Sequence, residues 1–265
     1  MDIIQALLLG GIQGLIEWLP ISSSGQTMLI ITNFLSLTVE EAYSYSLALH
    51  LGSFVALIIR LRKEITSVLS NLLRLRIGIE EKFLITATLV TGCVGMPIYL
   101  FFTEGRDLDA SYVNMLIGVS LIITGLIMEK AHKIHVKETK ELSLLHAVVA
   151  GIAQGTSAIP GISRSGITVS SLLLMKIEQE RALKLSFILA IPIIGGASLF
   201  SLTKIPFTTN LLASFFSSFL VSLLSISALL GFARWLSFSK FCLLIGFLTL
   251  TLSFIRAHPI IKIML

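Results

Sequence analysis

The stretch Ile21-Ser22-Ser23-Ser24-Gly25-Gln26-Thr27 returns, 141 positions on, as Ile162-Ser163-Arg164-Ser165-Gly166-Ile167-Thr168. The ungapped correspondence reaches back to Gln13-Gly14 and Gln154-Gly155, and a proline stands just ahead of each copy's serines, Pro20 and Pro160. The chain around them is apolar: 55% of its 265 residues are hydrophobic, and its mean hydropathy is +0.93. Two polar segments, broken by Gly and Pro inside such a chain, read as two halves of one site made by an internal repeat within a membrane.

Proline cannot continue a helix's hydrogen bonding, and the backbone groups it frees need polar partners. At membrane depth such a break survives only inside protein or beside a wet cavity. Segments 1–40 and 143–176 each begin as an apolar helix, over 3–19 and 144–159, and break at Pro20 or Pro160-Gly161. Each then passes through a Ser/Gly loop and resumes as an apolar helix, so two re-entrant helical hairpins are expected. Apolar runs near 42–60, 83–102, 112–128, 183–203, 211–232 and 241–257 are mostly long enough to cross about 30 Å of hydrocarbon. The expected fold is an all-α polytopic membrane protein with six transmembrane helices besides the hairpins. No alternating pattern suggests a barrel.

Only 13% of the residues are charged, against about 25% in soluble domains. In a six-span arrangement, Arg60, Arg62, Lys63, Arg74, Arg76 and Lys82 share one loop, and Lys130, Lys133, Lys137 and Lys140 another. Lys176, Arg181, Lys184, Arg234 and Lys240 fall on the same side. The opposite side receives only Arg106, Lys204, Arg256 and Lys262, beside Glu104, Asp107 and Asp109. This positive-inside bias puts both termini outside, and it accounts for the net charge of +5 with no nucleic acid as partner. The first hairpin then enters from outside and the second from inside. Repeats 1–128 and 143–257 become inverted in topology, joined by the polar linker 129–142 into a single membrane-embedded domain. Transporters with such repeats place their sites near the midplane, on broken-helix ends. The N-terminus lacks the basic flank of a cleaved signal peptide and reads as mature structure. Cys93 and Cys242 lie in apolar spans and read as buried free thiols.

Gln13 and Glu17, four apart, share one helix face just ahead of Pro20. A carboxylate in an apolar run costs at least roughly 2.5–3.5 kcal/mol to insert, and its place beside the break argues for function over a headgroup contact. Arg164 is the other isolated charge. Its guanidinium fork matches phosphate oxygens, and neighbouring serines with helix-start N–H groups complete an anion cradle; the alternative is a structural ion pair with Glu17. Ser22, Ser23 and Ser24 read either as helix caps or as part of a phosphate site, and Thr168 either as a further hydroxyl or as bonded to its own helix. A divalent cation bridging Glu17 and phosphate oxygens would remove the repulsion between the two anions.

At these residues the chain resembles the undecaprenyl-diphosphate phosphatase, or bacitracin-resistance, family. The family's (E/Q)-x-x-x-E motif matches Gln13 to Glu17, and L-P-x-S-S-[ST]-G matches Leu19 through Gly25. Its P-G-x-S-R-S-x-x-T matches Pro160 through Thr168 at every fixed position. The resemblance covers essentially the whole chain. It implies removal of the terminal phosphate from a polyprenyl diphosphate, dependence on Mg²⁺ or Ca²⁺, a plasma-membrane site opening to the outer face, and commonly a homodimer. Carried over by position, Glu17 and Gln13 hold the metal, Glu17, Ser23 and Arg164 are catalytic, and Ser23 is the proposed nucleophile position, with an activated water as the alternative. Ser22, Ser24, Gly25, Gln26, Ser163, Ser165, Gly166 and Thr168 complete the substrate-binding set.

One position departs. The family's motif usually continues with His, where this chain has Gln26, and an amide cannot shuttle a proton near neutral pH. His50, in the first span, is a substitute base on one reading and a helix-packing donor on the other. His132, His135, His146 and His258 fall at loops or span ends and read as solvated. The competing function is a transporter or flippase of polyprenyl phosphate or another small anion, which the inverted repeat would suit. A homologue that only binds lipid diphosphates is a third.

Overall fold

The structure, a computed structural model, describes residues 1–257 apart from 36, 105–107, 135–140 and 233–237. Arg106, Asp107, His135, Lys137, Lys140, Arg234, His258 and Lys262 therefore lie outside the described residues. Within them the chain is helical, with no strand. The helices are α1 (Ile3–Ile16), α2 (Ser23–Phe34), α3 (Val39–Arg60), α4 (Arg62–Leu73), α5 (Ile79–Thr103), α6 (Ala110–His132), α7 (Leu144–Thr156), α8 (Arg164–Leu174), α9 (Gln179–Leu202), α10 (Thr209–Phe232) and α11 (Phe238–Ala257). Six of these, α3, α5, α6, α9, α10 and α11, are long and apolar enough to cross a bilayer. The protein is a multi-pass membrane protein. Its outward faces carry side chains such as Leu89 and Leu224 in the open, a cost in water that disappears against lipid tails.

Helices α1 and α7 have 14 and 13 residues, well short of the roughly 20 needed to span. Both stop earlier than the prolines suggest, at Ile16 and Thr156 rather than at 19 and 159. The residue before a proline is pushed out of the helical region, and the unwinding begins a turn sooner. The N–H groups of Ser157, Ala158 and Ile159 reach back three residues, to the carbonyls of Gln154, Gly155 and Thr156, the tightening that satisfies a helix end.

Close backbone approach holds these short helices in place. A Cβ at Gly10 or Gly14 would run into the backbone of Ser214 or Ser218 on α10. The hydroxyls of Ser214, Ser217 and Ser222 donate to the carbonyls of Ala6, Leu7 and Gly14 at 3.0, 2.7 and 3.0 Å. On α7, Gly151 and Gly155 make the matching approach to α5, where Thr91 Oγ1 donates to the Gly151 carbonyl at 3.2 Å. Small residues at such crossings let van der Waals contact and hydrogen bonds replace the hydrophobic effect that lipid removes. Thus α1 packs on α10 of the other half, α7 on α5 of the first half, and α6 against α11.

Three sequence expectations are corrected. Residues 62–73, expected within a loop, form α4, whose apolar stripe is too short to stand out as a span. Cys93 is exposed on α5, and only Cys242 is buried: residence in an apolar span does not decide which side faces lipid. His146 is buried rather than solvated, its Nδ1 lying 2.5 Å from Ser143 Oγ at the start of α7.

Candidate active site

Where α1 runs out, Glu17 occupies the C-cap position, its N–H donating to the Gln13 carbonyl at 3.0 Å. The residue is 4% exposed, and burial of a charge demands partners. It has them on both oxygens. Oε1 takes Arg164 Nη2 at 2.5 Å. Oε2 receives Gln13 Nε2 at 2.9 Å and the Ser23 hydroxyl at 2.5 Å, and His50 Nε2 lies 3.1 Å away. Glu17 is thus the hub, joining the end of α1, the start of α2, the middle of α3 and the start of α8.

His50 is brought in by α3. Its Nδ1 lies 2.7 Å from the Ser46 carbonyl, which can only accept, so Nδ1 carries a proton. Nε2 then faces Glu17 Oε2 at 3.1 Å and Ser23 Oγ at 3.2 Å. A hydrogen bond between Nε2 and the carboxylate needs a proton on one of the two, and Nε2 without one can accept from the Ser23 hydroxyl. The side chains of Ser23, His50 and Glu17 form one proton-sharing cluster.

Both polar copies begin a helix in the same way. Ser22 caps α2 by accepting from Gly25 N–H at 3.3 Å, and Ser163 caps α8 by accepting from Gly166 N–H at 3.2 Å. Of the two readings left open for the first serines, Ser22 is the cap. It holds a left-handed backbone, φ 60°, a strained state for a residue with a side chain and one that clusters at functional sites. The copies meet directly: a Cβ on Gly25 would lie 2.8 Å from Gly161 Cα. Gly161 has φ +93°, and a Cβ there would lie 2.5 Å from the Ile117 carbonyl oxygen, so glycine is required on both counts. Two helix N-termini, each a partial positive charge, are thereby turned toward one place.

That place is a cavity of about 210 Å³. Glu17, Ser22, Ser23, Ser24, His50, Ser163, Arg164 and Ser165 line it. Gln13, Gly25, Gln26, Gly166 and Thr168 are not part of its wall. Gln13 acts from behind, through Glu17. The Gln26 amide donates to the Ile21 carbonyl at 3.4 Å, and Thr168 is fully buried, its Oγ1 without a partner among the described residues. Arg164 spends one nitrogen on Glu17, and its Nη1 has no partner among the described residues.

Further lining residues went unnoticed in the sequence. Tyr43 and Leu47 sit two turns and one turn before His50 on α3, so the spacing i, i+4, i+7 was the signal. The Tyr43 hydroxyl donates at 2.8 Å to the carbonyl of Ala158, which holds the place of Glu17 in the second copy. Gln154, the repeat counterpart of Gln13, also lines the cavity, its Nε2 donating to the Leu189 carbonyl at 3.2 Å. One wall is apolar: Gly92, Met96 and Tyr99 of α5 face Ile193, Ala197 and Phe200 of α9.

For a divalent cation, the described residues hold no cluster of three or more His, Cys, Asp or Glu side chains. Mg²⁺, however, commonly takes one or two carboxylates and completes its sphere from substrate phosphates and water. Beside Glu17, Gln13 Oε1 is buried behind the cavity wall and has no hydrogen-bond partner among the described residues, a neutral oxygen donor left open. Glu17 and Gln13 are the residues that could hold such an ion.

The model of the family described as "Bacitracin resistance protein BacA" matches residues 6–250. An undecaprenyl-diphosphatase of Methanothrix thermoacetophila is 37% identical over 257 residues, covering 96% of this chain and 98% of its own. One from Methanococcoides burtonii is 34% identical over 271 residues, 96% and 100% of the two chains. One from Saccharolobus islandicus is 38% identical over 248 residues, 88% of each. A match of this breadth, running through both polar copies and the helices that carry them, places the chain in the bacitracin resistance protein BacA family.

Proposed function

We propose that this chain is a polyprenyl diphosphate phosphatase that hydrolyses undecaprenyl diphosphate, or a close relative, to the monophosphate and inorganic phosphate. The observation that carries the reading is Ser23 Oγ, set 2.5 Å from Glu17 and 3.2 Å from His50, with a partly buried guanidinium on the same carboxylate. A hydroxyl beside a base, with the base positioned by a third group, is the arrangement that activates a nucleophile.

The diphosphate sits against the starts of α2 and α8, where Arg164 Nη1 and the capped helix ends meet its negative charge. Ser23 Oγ attacks the terminal phosphorus while its proton passes to the Glu17–His50 pair. The bond from that phosphorus to the bridging oxygen breaks, and its electron pair leaves with the prenyl monophosphate. The pair passes that proton to the departing monophosphate. Water then attacks the phosphoserine with the pair again as base, and the proton it gives up goes on to Ser23 Oγ, releasing phosphate and restoring the serine. Most of the acceleration comes from positioning and charge stabilisation, which is what Arg164 supplies. Glu17, with Gln13 Oε1, would hold Mg²⁺ or Ca²⁺, whose chemistry is to neutralise phosphate oxygens.

The apolar wall formed by Met96, Tyr99, Ile193 and Phe200 suits a prenyl chain. It runs toward the C-terminal ends of α5 and α9, which the charge bias puts at the outer face of the plasma membrane. This supports a site opening outward, with both termini outside. The exchanged packing of α1 on α10 and α7 on α5 supports re-entrant hairpins within inverted repeats 1–128 and 143–257 of one domain. The family resemblance extends the reading to a homodimer.

The test is phosphate release from a polyprenyl diphosphate by purified protein with Mg²⁺. Arg164→Ala should lower turnover by about 10²-fold or more. Undiminished release by that variant would refute the role of Arg164. No release from wild type, with lipid moving across proteoliposomes, would make the protein a transporter.

A further inference from the structure

Helix α4 has no part in the cavity. It packs against the neighbouring ends of α3 and α5, and none of its twelve residues is buried. Its apolar residues Ile65, Val68, Leu69, Leu72 and Leu73 recur at i, i+3, i+4, i+7 and i+8, within an arc of about 140° at 100° per residue. Leu69 is 52% exposed and Leu73 85%. An apolar stripe of this kind, left uncovered, requires a partner.

The end of the helix adds a second observation. Arg76 N–H donates to the Asn71 carbonyl at 2.8 Å and Leu75 N–H to that of Leu72 at 3.1 Å, a double closure that needs a left-handed residue. Glycine usually fills that place; here Leu75 does, at φ 55° and 82% exposed. Helix α8 closes likewise, with Lys176 at φ 68°, but there the apolar residue comes next, as Ile177, and is fully buried. In α4 the chain turns a leucine outward beside Leu73, with Ile77 and Ile79 also exposed just beyond.

The charges identify the partner. Arg62 and Lys63 open the helix, and Arg74 and Arg76 close it, against Glu64 alone within 62–76. Glu80 and Glu81 at the start of α5 are engaged with Arg181 and Asn71. A basic helix with an apolar stripe, polar over the rest of its surface, lies flat in the headgroup layer, and its attraction rises with anionic lipid.

We propose that α4 and the turn through Ile79 form an interfacial anchor, seated in the headgroup layer on the face of the basic loops and binding anionic phospholipid. It fixes the depth of the adjoining ends of α3, which carries His50, and of α5, which forms a cavity wall. The anchor is independent of the phosphatase reading.

The test uses full-length protein carrying Cys93→Ser and Cys242→Ala, in nanodiscs of phosphatidylcholine with or without roughly one-third phosphatidylglycerol. An environment-sensitive fluorophore is attached after Leu69→Cys, Leu73→Cys or Leu75→Cys, or on the opposite face after Ser67→Cys or Ser70→Cys. Lipids spin-labelled near the headgroup should quench the first three at least about threefold more than the last two, as burial of one face requires. Phosphatidylglycerol should strengthen that quenching, and Arg74→Gln with Arg76→Gln should abolish the gain. Equal accessibility of all five labels to a water-soluble quencher would overturn the proposal. Protection without lipid quenching, with cross-linking between copies at position 73, would overturn it in favour of a second copy of this chain. Quenching indifferent to phosphatidylglycerol would overturn the anionic preference.

Discussion

Replacing His50 by Gln isolates the proton-sharing cluster. A glutamine keeps an N–H near the place of Nε2, so Glu17 retains a donor, while the ability to take up a proton is lost. General acid–base groups contribute about 10²–10⁴ in rate. The lower half of that range applies, because Glu17 Oε2 already holds the Ser23 hydroxyl at 2.5 Å, nearer than His50 at 3.2 Å, and remains as acceptor. The expected fall in kcat is about 10²–10³, or ~2.7–4 kcal/mol, with KM little changed. Gln26→His, the reverse departure, should alter kcat by less than about threefold, since position 26 is not in the cavity wall and an added base counts only within reach of the proton. Phosphate release from a polyprenyl diphosphate, over a range of substrate concentrations, measures both variants. Full activity in His50→Gln, together with a tenfold or greater gain in Gln26→His, would refute the reasoning, for the base would then act from the first polar copy.

Ser23→Ala separates two nucleophiles: loss of roughly 10³-fold or more and of any trapped phosphoprotein is expected, whereas release within tenfold of wild type would indicate attack by water. Gly161→Ala should cost about 1–2 kcal/mol for the left-handed backbone alone, beyond the overlap with the Ile117 carbonyl, and thermal unfolding in detergent should show the melting point falling. Gln13→Leu removes the open Oε1 and should raise the Mg²⁺ concentration for half-maximal activity by roughly 10-fold; an unchanged requirement would take Gln13 out of the metal site.

Much of the arrangement was legible because membranes penalise polar groups so heavily. Glu17 and Arg164 stood out against apolar runs, and the structure does pair them, at 2.5 Å. The repeat pointed to one site, and Gly25 does lie against Gly161. His50 was harder to place: a histidine 27 residues from Ser23 can reach it only if α3 presents that face inward, which depends on packing between helices. Helix α4 escaped for a different reason, since a twelve-residue stripe is too short to resemble a span. The same limit that hid the face of α3 applies to Cys93 and His146, whose exposure follows from the neighbours each helix acquires.

The serines of α10 have one more consequence. A helix of 14 residues is only ~21 Å long and, left to the lipid, would ride up or down with the thickness of the surrounding hydrocarbon. Here Ala6, Leu7 and Gly14 are dovetailed by hydroxyls to a helix that spans the bilayer. The depth of Glu17 is therefore gauged against protein, and the chemistry keeps its alignment as the bilayer thins or thickens.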